Sequence, residues 1–84
     1  MPINLNFKLS KSDWAELTGE QKLAVRLVQS ILKDIDRGVD LEDITAWTEE
    51  TGVLSPPFIE ALLELPADSI KRRVKEKLAD AQAL

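Results

Sequence analysis

The apolar positions of this chain recur at two different spacings. From residue 11 onward they return every three or four residues, so that they share one face of an α-helix. Residues 3–9 instead alternate strictly between apolar and polar, which is typical of an extended strand with one buried face. We therefore predict an all-α fold: a compact cluster of four to five short helices with an N-terminal extended arm at residues 3–9. Short connections place residues 1–84 in a single helical domain, of which residues 1–10 form the arm or strand.

Residues that start or stop helices mark the boundaries of the predicted helices. Thr18, followed three residues later by Gln21, predicts a capping box at the start of the longest helix. Gly38 is expected to end that helix near Arg37, because glycine readily adopts the left-handed conformation of a helix terminus. Further boundaries are predicted at Ser10, Asp40, Gly52, Ser55 and Pro66.

The predicted helices differ in the apolar surface that they offer to a core. Phe58 belongs to the apolar stripe of the fourth helix. The fifth helix has a narrow stripe in an otherwise charged sequence, so we expect it to pack by one edge only. Trp14 and Trp47 are spaced at helical intervals from Leu17 and Ile44, and both are expected to be core residues.

The middle of the chain is strongly acidic. Residues 38–68 hold eight acidic side chains and no basic one, whereas the whole chain has a net charge of −4. Such a segment favours a basic partner over nucleic acid. We predict a partner-binding acidic face that consists of Asp40, Glu42, Asp43, Glu49 and Glu50.

A dense basic run follows on the fifth predicted helix. It is expected to contact nucleic-acid phosphates, another anionic partner, or the acidic face of the same or a second copy of the chain. Arg72 and Glu76 are spaced for a helical ion pair. The run consists of Lys71, Arg72, Arg73, Lys75 and Lys77.

Composition excludes several kinds of chemistry. The chain has no cysteine and no histidine, which removes thiol nucleophiles, zinc-thiolate sites and the commonest general base. A calcium loop starting at Asp34 would need glycine at its sixth position and glutamate at its twelfth, but Gly38 is the fifth and Thr45 the twelfth. We expect no catalytic residue, no metal ligand and no cofactor. The lack of a signal-peptide pattern and of an apolar stretch of transmembrane length favours a cytoplasmic protein without membrane contact.

The predicted arm raises the question of what pairs with its backbone groups. We expect one of three arrangements. The arm lies over the helices with its polar groups bonded to water, it pairs with its copy in a homodimer, or it adds to a sheet of another protein. The arm alone resembles the strand of ribbon-helix-helix DNA-binding proteins. That resemblance implies base-reading side chains in the major groove, although the family has two helices and this chain has four or five. The predicted arm residues are Ile3, Asn4, Leu5, Asn6, Phe7 and Lys8.

These observations favour a small non-enzymatic protein-interaction or regulatory module, such as an adaptor. It would bind another protein through the acidic 38–68 surface, the N-terminal strand, or both. The alternative is a dimeric DNA-binding transcriptional regulator or antitoxin-like protein that uses the arm or the basic 71–77 helix. A loose resemblance of residues 42–63 to a helix-turn-helix adds little, because that segment is acidic and a recognition helix must approach phosphates.

Overall fold

A computed structural model describes residues 9–83 and has an all-α architecture, as predicted. Residues 9–83 form no β-strand. Of the predicted arm only Leu9 is among them; it has no regular secondary structure and packs against the hydrophobic core. The rest of the arm, residues 3–8, lies outside the described residues. The helices are α1 (Lys11–Ala15), α2 (Gly19–Arg37), α3 (Leu41–Trp47), α4 (Pro56–Leu62) and α5 (Ser69–Gln82).

Helix α2 is the longest and begins and ends where its sequence predicts. The Thr18 hydroxyl accepts a hydrogen bond from the Gln21 N–H at 3.1 Å, and the Gln21 amide oxygen accepts one from the Thr18 N–H at 3.0 Å. Gly38 ends the helix in the left-handed region at φ +69°. One face of α2 forms the spine of the core, to which it contributes Ala24, Val25, Val28, Ile31, Leu32 and Ile35.

Helix α5 packs more extensively than its sequence indicates. It packs by one edge, as predicted, but that edge contacts three helices, α2, α3 and α4. Its stripe of Ile70, Val74 and Leu78 is narrow but completely buried. Three neighbouring helices converge on that one stripe, so a few apolar side chains are enough to hold α5 at the centre of the fold.

Other boundaries and core positions differ from their predictions in detail. Asp40 and Ser55 precede α3 and α4 as predicted, but neither side chain makes a capping hydrogen bond. Helix α3 ends at Trp47, before the boundary predicted at Gly52. Trp14 and Trp47 pack at the margin of the core and are only half-buried. Phe58 shares a helix with buried Ile59 but remains exposed. The exposed apolar side chains that result are central to the surface described next.

Candidate functional site

An apolar groove lies between the start of α2 and the segment that leads from α3 into α4. Its volume is about 270 Å³. Four of its apolar side chains are well exposed: Leu23 by 66%, Val53 by 78%, Leu54 by 43% and Phe58 by 40%. Large apolar side chains exposed next to one another are unusual on a small protein. The groove is lined by Glu20, Leu23, Val53, Leu54, Phe58 and Leu62.

The loop between α3 and α4 is fixed so that its apolar side chains face outward. The Trp47 indole N–H donates a hydrogen bond to the Leu54 carbonyl at 2.8 Å. The Ser55 N–H donates to the Gly52 carbonyl at 3.2 Å, which closes the turn. Leu54 adopts the left-handed conformation, with φ at +62°. For a residue with a Cβ this conformation costs about 1–2 kcal/mol, so the loop holds Leu54 at the surface against a local energetic cost.

The two sides of the groove are joined by one side chain. Gln21, at the start of α2, donates its amide N–H to the carbonyl of Leu62 at the end of α4, at 3.1 Å. The same side chain accepts the hydrogen bond from the Thr18 N–H. Both polar ends of Gln21 are therefore bonded, which fixes α4 beside α2 and sets the separation of the walls.

A buried carboxylate joins α4, which forms part of one groove wall, to α5. Glu60 is only 4% exposed. Its carboxylate accepts hydrogen bonds from the backbone N–H groups of Asp68 at 3.0 Å, Ile70 at 2.9 Å and Lys71 at 3.2 Å. Asp68 itself occupies the N-cap position of α5 but its side chain makes no cap. Glu60 thus caps α5 from a different helix and places a negative charge at the positive end of its dipole.

Part of the basic run pairs with acidic groups of the same molecule. Glu49, just after α3, contacts Lys75 at 2.8 Å and Lys71 at 3.3 Å. The hydrogen bonds from Lys75 and then Lys71 hold the pKa of Glu49 below its ordinary value. Lys77 forms an ion pair with Asp36 of α2. These ion pairs link α5 to α2 and to the residues just after α3, and they reduce the positive potential of the basic run.

The two arginines of the run differ from its three lysines. Neither Arg72 nor Arg73 forms an ion pair within residues 9–83, and the predicted Arg72–Glu76 pair is not formed there. Both guanidinium groups line the same shallow depression at the start of α5. The basic run therefore consists of an exposed Arg72 and a half-buried Arg73, beside three lysines that form ion pairs with Glu49 and Asp36.

The predicted acidic face is divided between the two ends of α3. Asp40, Glu42 and Asp43 lie at the start of that helix, and Glu50 follows its end; all four are exposed. Glu49 also follows the end of α3, but it is bonded to the lysines of α5. The five predicted residues therefore do not form one continuous cluster.

Within residues 9–83 no three acidic side chains come together as a metal site would require. None of the five helices is both long and apolar enough to cross a bilayer.

Sequence reasoning missed the groove as a unit. Leu23, Val53 and Leu54 were in no predicted site, and Phe58 was assigned to a helix stripe. The signal present in the sequence is Val53–Leu54, two apolar residues in a loop directly after Gly52. Only the packing of α4 beside α2 shows that Leu23 completes the surface.

Comparisons of the chain with protein-family models, with curated proteins and with solved structures gave no match.

Proposed function

We propose that this chain is a protein-interaction module of the adaptor or regulatory kind, and that it binds its partner at the apolar groove. The observation that carries this proposal is the cluster of exposed apolar side chains on both walls of the groove. Exposed apolar patches of this kind mark binding sites on proteins of this size, because water contact with them is unfavourable. One wall comes from the acidic 38–68 segment, which also supplies the exposed carboxylates predicted to face a basic partner. We further propose a cytoplasmic location, on the sequence pattern alone.

The conformation of the groove supports a role in binding. Stability alone would favour glycine or asparagine at position 54, where φ is positive. It would also favour polar side chains at 23 and 53, which lie in contact with solvent. A binding surface accounts for both departures, because backbone strain and exposed apolar residues persist where function requires them.

Matched valine substitutions test this proposal. Val53 lies in the groove, whereas Val39 is an exposed valine in the α2–α3 connection. Immobilised wild-type, Val53→Ser and Val39→Ser proteins are incubated with native lysate, and the retained proteins are quantified by mass spectrometry. We expect at least one protein that wild type and Val39→Ser retain and Val53→Ser loses. Identical retention by all three proteins would show that the groove is not the binding surface.

The DNA-binding alternative rests on Arg72 and Arg73, whose guanidinium groups make no ion pair in the described part of the chain. It is the weaker proposal, because the three lysines of the run are paired and the chain is acidic overall. A gel-shift assay with random duplex DNA at low salt tests it. A shift that is lost in Arg72→Ala/Arg73→Ala would support DNA binding, and no shift would exclude this use of the helix.

The arm hypotheses need a separate test, because residues 3–8 lie outside the described part of the chain. Deletion of residues 1–9, followed by measurement of the mass in solution, checks the homodimer. A dimer that becomes a monomer on deletion supports strand pairing between copies. An unchanged number of chains per particle contradicts it.

A further inference from the structure

The groove also indicates what kind of partner segment it accepts, an inference that rests on the proposed function. We propose that it binds one face of an amphipathic α-helix of a partner protein. That helix presents two large apolar side chains, three or four residues apart, and carries lysine or arginine on the flanks of its apolar face. Three observations lead to this partner: the size of the groove, the lack of a strand among residues 9–83 and the acidic side chains around the groove.

The groove has room for about two large side chains. An apolar cavity of about 150 Å³ accommodates a benzene-sized group. The groove volume of about 270 Å³ is close to twice that. Side chains at positions i and i+3 or i+4 of a helix lie on one face about 5–6 Å apart, which suits neighbouring positions in one groove. Helices that bind in apolar grooves use this spacing of anchors.

A helical partner fits the backbone chemistry of the groove better than an extended one. An extended peptide needs a strand edge to pair with its N–H and C=O groups. Residues 9–83 form no strand, so the part of the chain that the structure describes offers no such edge to an extended peptide at the groove. The loop offers little in its place, because the Leu54 carbonyl already accepts the Trp47 indole N–H. A helix brings its own backbone hydrogen bonds and needs only apolar contact.

The charge around the groove selects a basic helix. Among residues 9–83, Glu20 is the one charged residue that lines the groove. The wall from Val53 to Leu62 belongs to the 38–68 segment, which has no basic residue. Glu50 is three residues from Val53, hence at most about 11 Å away along the chain, and Glu64 is two residues from Leu62, hence at most about 7 Å away. These separations are comparable to the screening length at physiological salt.

The nearby carboxylates are not neutralised within the fold. Glu20, Glu50 and Glu64 form no ion pair in the part of the chain that the structure describes. Lys22, the lysine closest in sequence to Glu20, has its ammonium group 5.9 Å from the centre of the Trp14 ring. An apolar groove with unpaired carboxylates beside it is complementary to an apolar helix face flanked by cations.

A display library tests this inference with the full-length chain. The library consists of alanine-rich helical peptides about 16 residues long, roughly four turns, with random residues on one face. The binding of peptides enriched on wild type is then measured for wild type, Val53→Ser and the control Val39→Ser by fluorescence titration. Trp47 reports occupancy directly, since its indole is bonded to the groove loop.

We expect enriched peptides with two large apolar residues at helical spacing and a net positive charge. Their binding should weaken about tenfold or more in Val53→Ser, equivalent to about 1.4 kcal/mol, remain unchanged in Val39→Ser, and decrease as salt rises. Circular dichroism of each variant confirms that it is folded.

The contrary outcomes separate this inference from the proposed function. Enriched peptides that require Val53 but have alternating apolar residues or a negative charge would overturn the helix inference and leave groove binding intact. A dimer of the chain that Val53→Ser dissociates would show that a second copy occupies the groove, and would also overturn the inference. No peptide with Val53-dependent binding, together with identical lysate retention by wild type and Val53→Ser, would remove both proposals.

Discussion

Removal of the Glu60 carboxylate should destabilise the whole fold, because this side chain of α4 caps the start of the centrally packed α5. Its three backbone hydrogen bonds hold the first turn of α5. In Glu60→Ala the N–H of Ile70 is left buried, while the N–H groups of Asp68 and Lys71 are only partly buried and can bond to water. The mutant therefore loses one buried and two partly buried bonds at once.

The magnitude follows from the burial of these bonds. A hydrogen bond from a buried donor to a charged group contributes about 1.5–3 kcal/mol. Loss of a helix cap at sites where water can substitute costs about 1 kcal/mol. We therefore expect Glu60→Ala to lower the free energy of unfolding by about 2–4 kcal/mol. A chain of this length is stable by about 4–13 kcal/mol, so the loss is a large fraction of the total.

Urea denaturation followed by circular dichroism and tryptophan fluorescence measures this loss. In a parallel thermal denaturation the melting temperature should fall by about 8–32 °C, since each kcal/mol shifts the melting temperature of a small domain by about 4–8 °C. Glu60→Gln should show a smaller loss, because its amide keeps one accepting oxygen but no charge. Glu50→Ala and Glu50→Gln are the matched controls, because Glu50 is exposed and forms no ion pair within residues 9–83. A free energy of unfolding for Glu60→Ala within about 0.5 kcal/mol of that for Glu50→Ala would refute the capping role, since surface substitutions fall in that range.

Three further predictions concern single positions. Glu49→Gln should lower the free energy of unfolding at neutral pH, as measured by urea titration. The difference from wild type should vanish as the pH falls below the ordinary glutamate pKa and through the lowered pKa of folded Glu49, because the carboxylate then becomes protonated. A difference that is constant with pH would contradict the ion-pair explanation. Gly38→Ala should lower the free energy of unfolding by about 1–2 kcal/mol in the same assay, because alanine is strained at a φ of +69°. A Cβ at this position meets no atom within 4 Å, so a steric clash adds nothing. An unchanged midpoint would mean that alanine adopts this backbone conformation without strain. Leu54→Asn should change the free energy of unfolding by less than about 1 kcal/mol, because relief of the left-handed strain offsets the loss of the partly buried leucine side chain. A decrease above about 2 kcal/mol would show that Leu54 contributes to packing.

Helix identity and helix ends were largely predictable because they depend on local interactions. The capping box of Thr18 and Gln21 involves residues three positions apart, and Gly38 ends α2 through its own backbone freedom. Local rules were less reliable where a tertiary partner replaces the local one. Asp68 stands at the start of α5, yet Glu60 from α4 makes the cap, and no sequence periodicity links these two residues.

The candidate site shows the same division. The sequence determined that residues 38–68 are acidic and that residues 71–77 are basic, and composition removed thiol and imidazole chemistry. It did not determine which of those charges face solvent. The structure pairs Glu49 with two lysines and leaves Arg72 and Arg73 without ion pairs in the described region, because the packing of α5 against α3 decides which side chains come within reach.

Amino-acid sequence by itself determined the all-α class, the extent of α2 and the segregation of charge, since each follows from side-chain type and spacing along the chain. Tertiary structure alone decided that α5 is central and that α4 lies beside the start of α2. It also decided that Leu23 meets Val53, Leu54 and Phe58 in one groove. The physical reason is that the two walls of the groove are 30 or more positions apart in sequence, from Leu23 to Val53 and beyond. Their separation in space depends on long-range packing and on single contacts, such as the hydrogen bond from Gln21 to the Leu62 carbonyl.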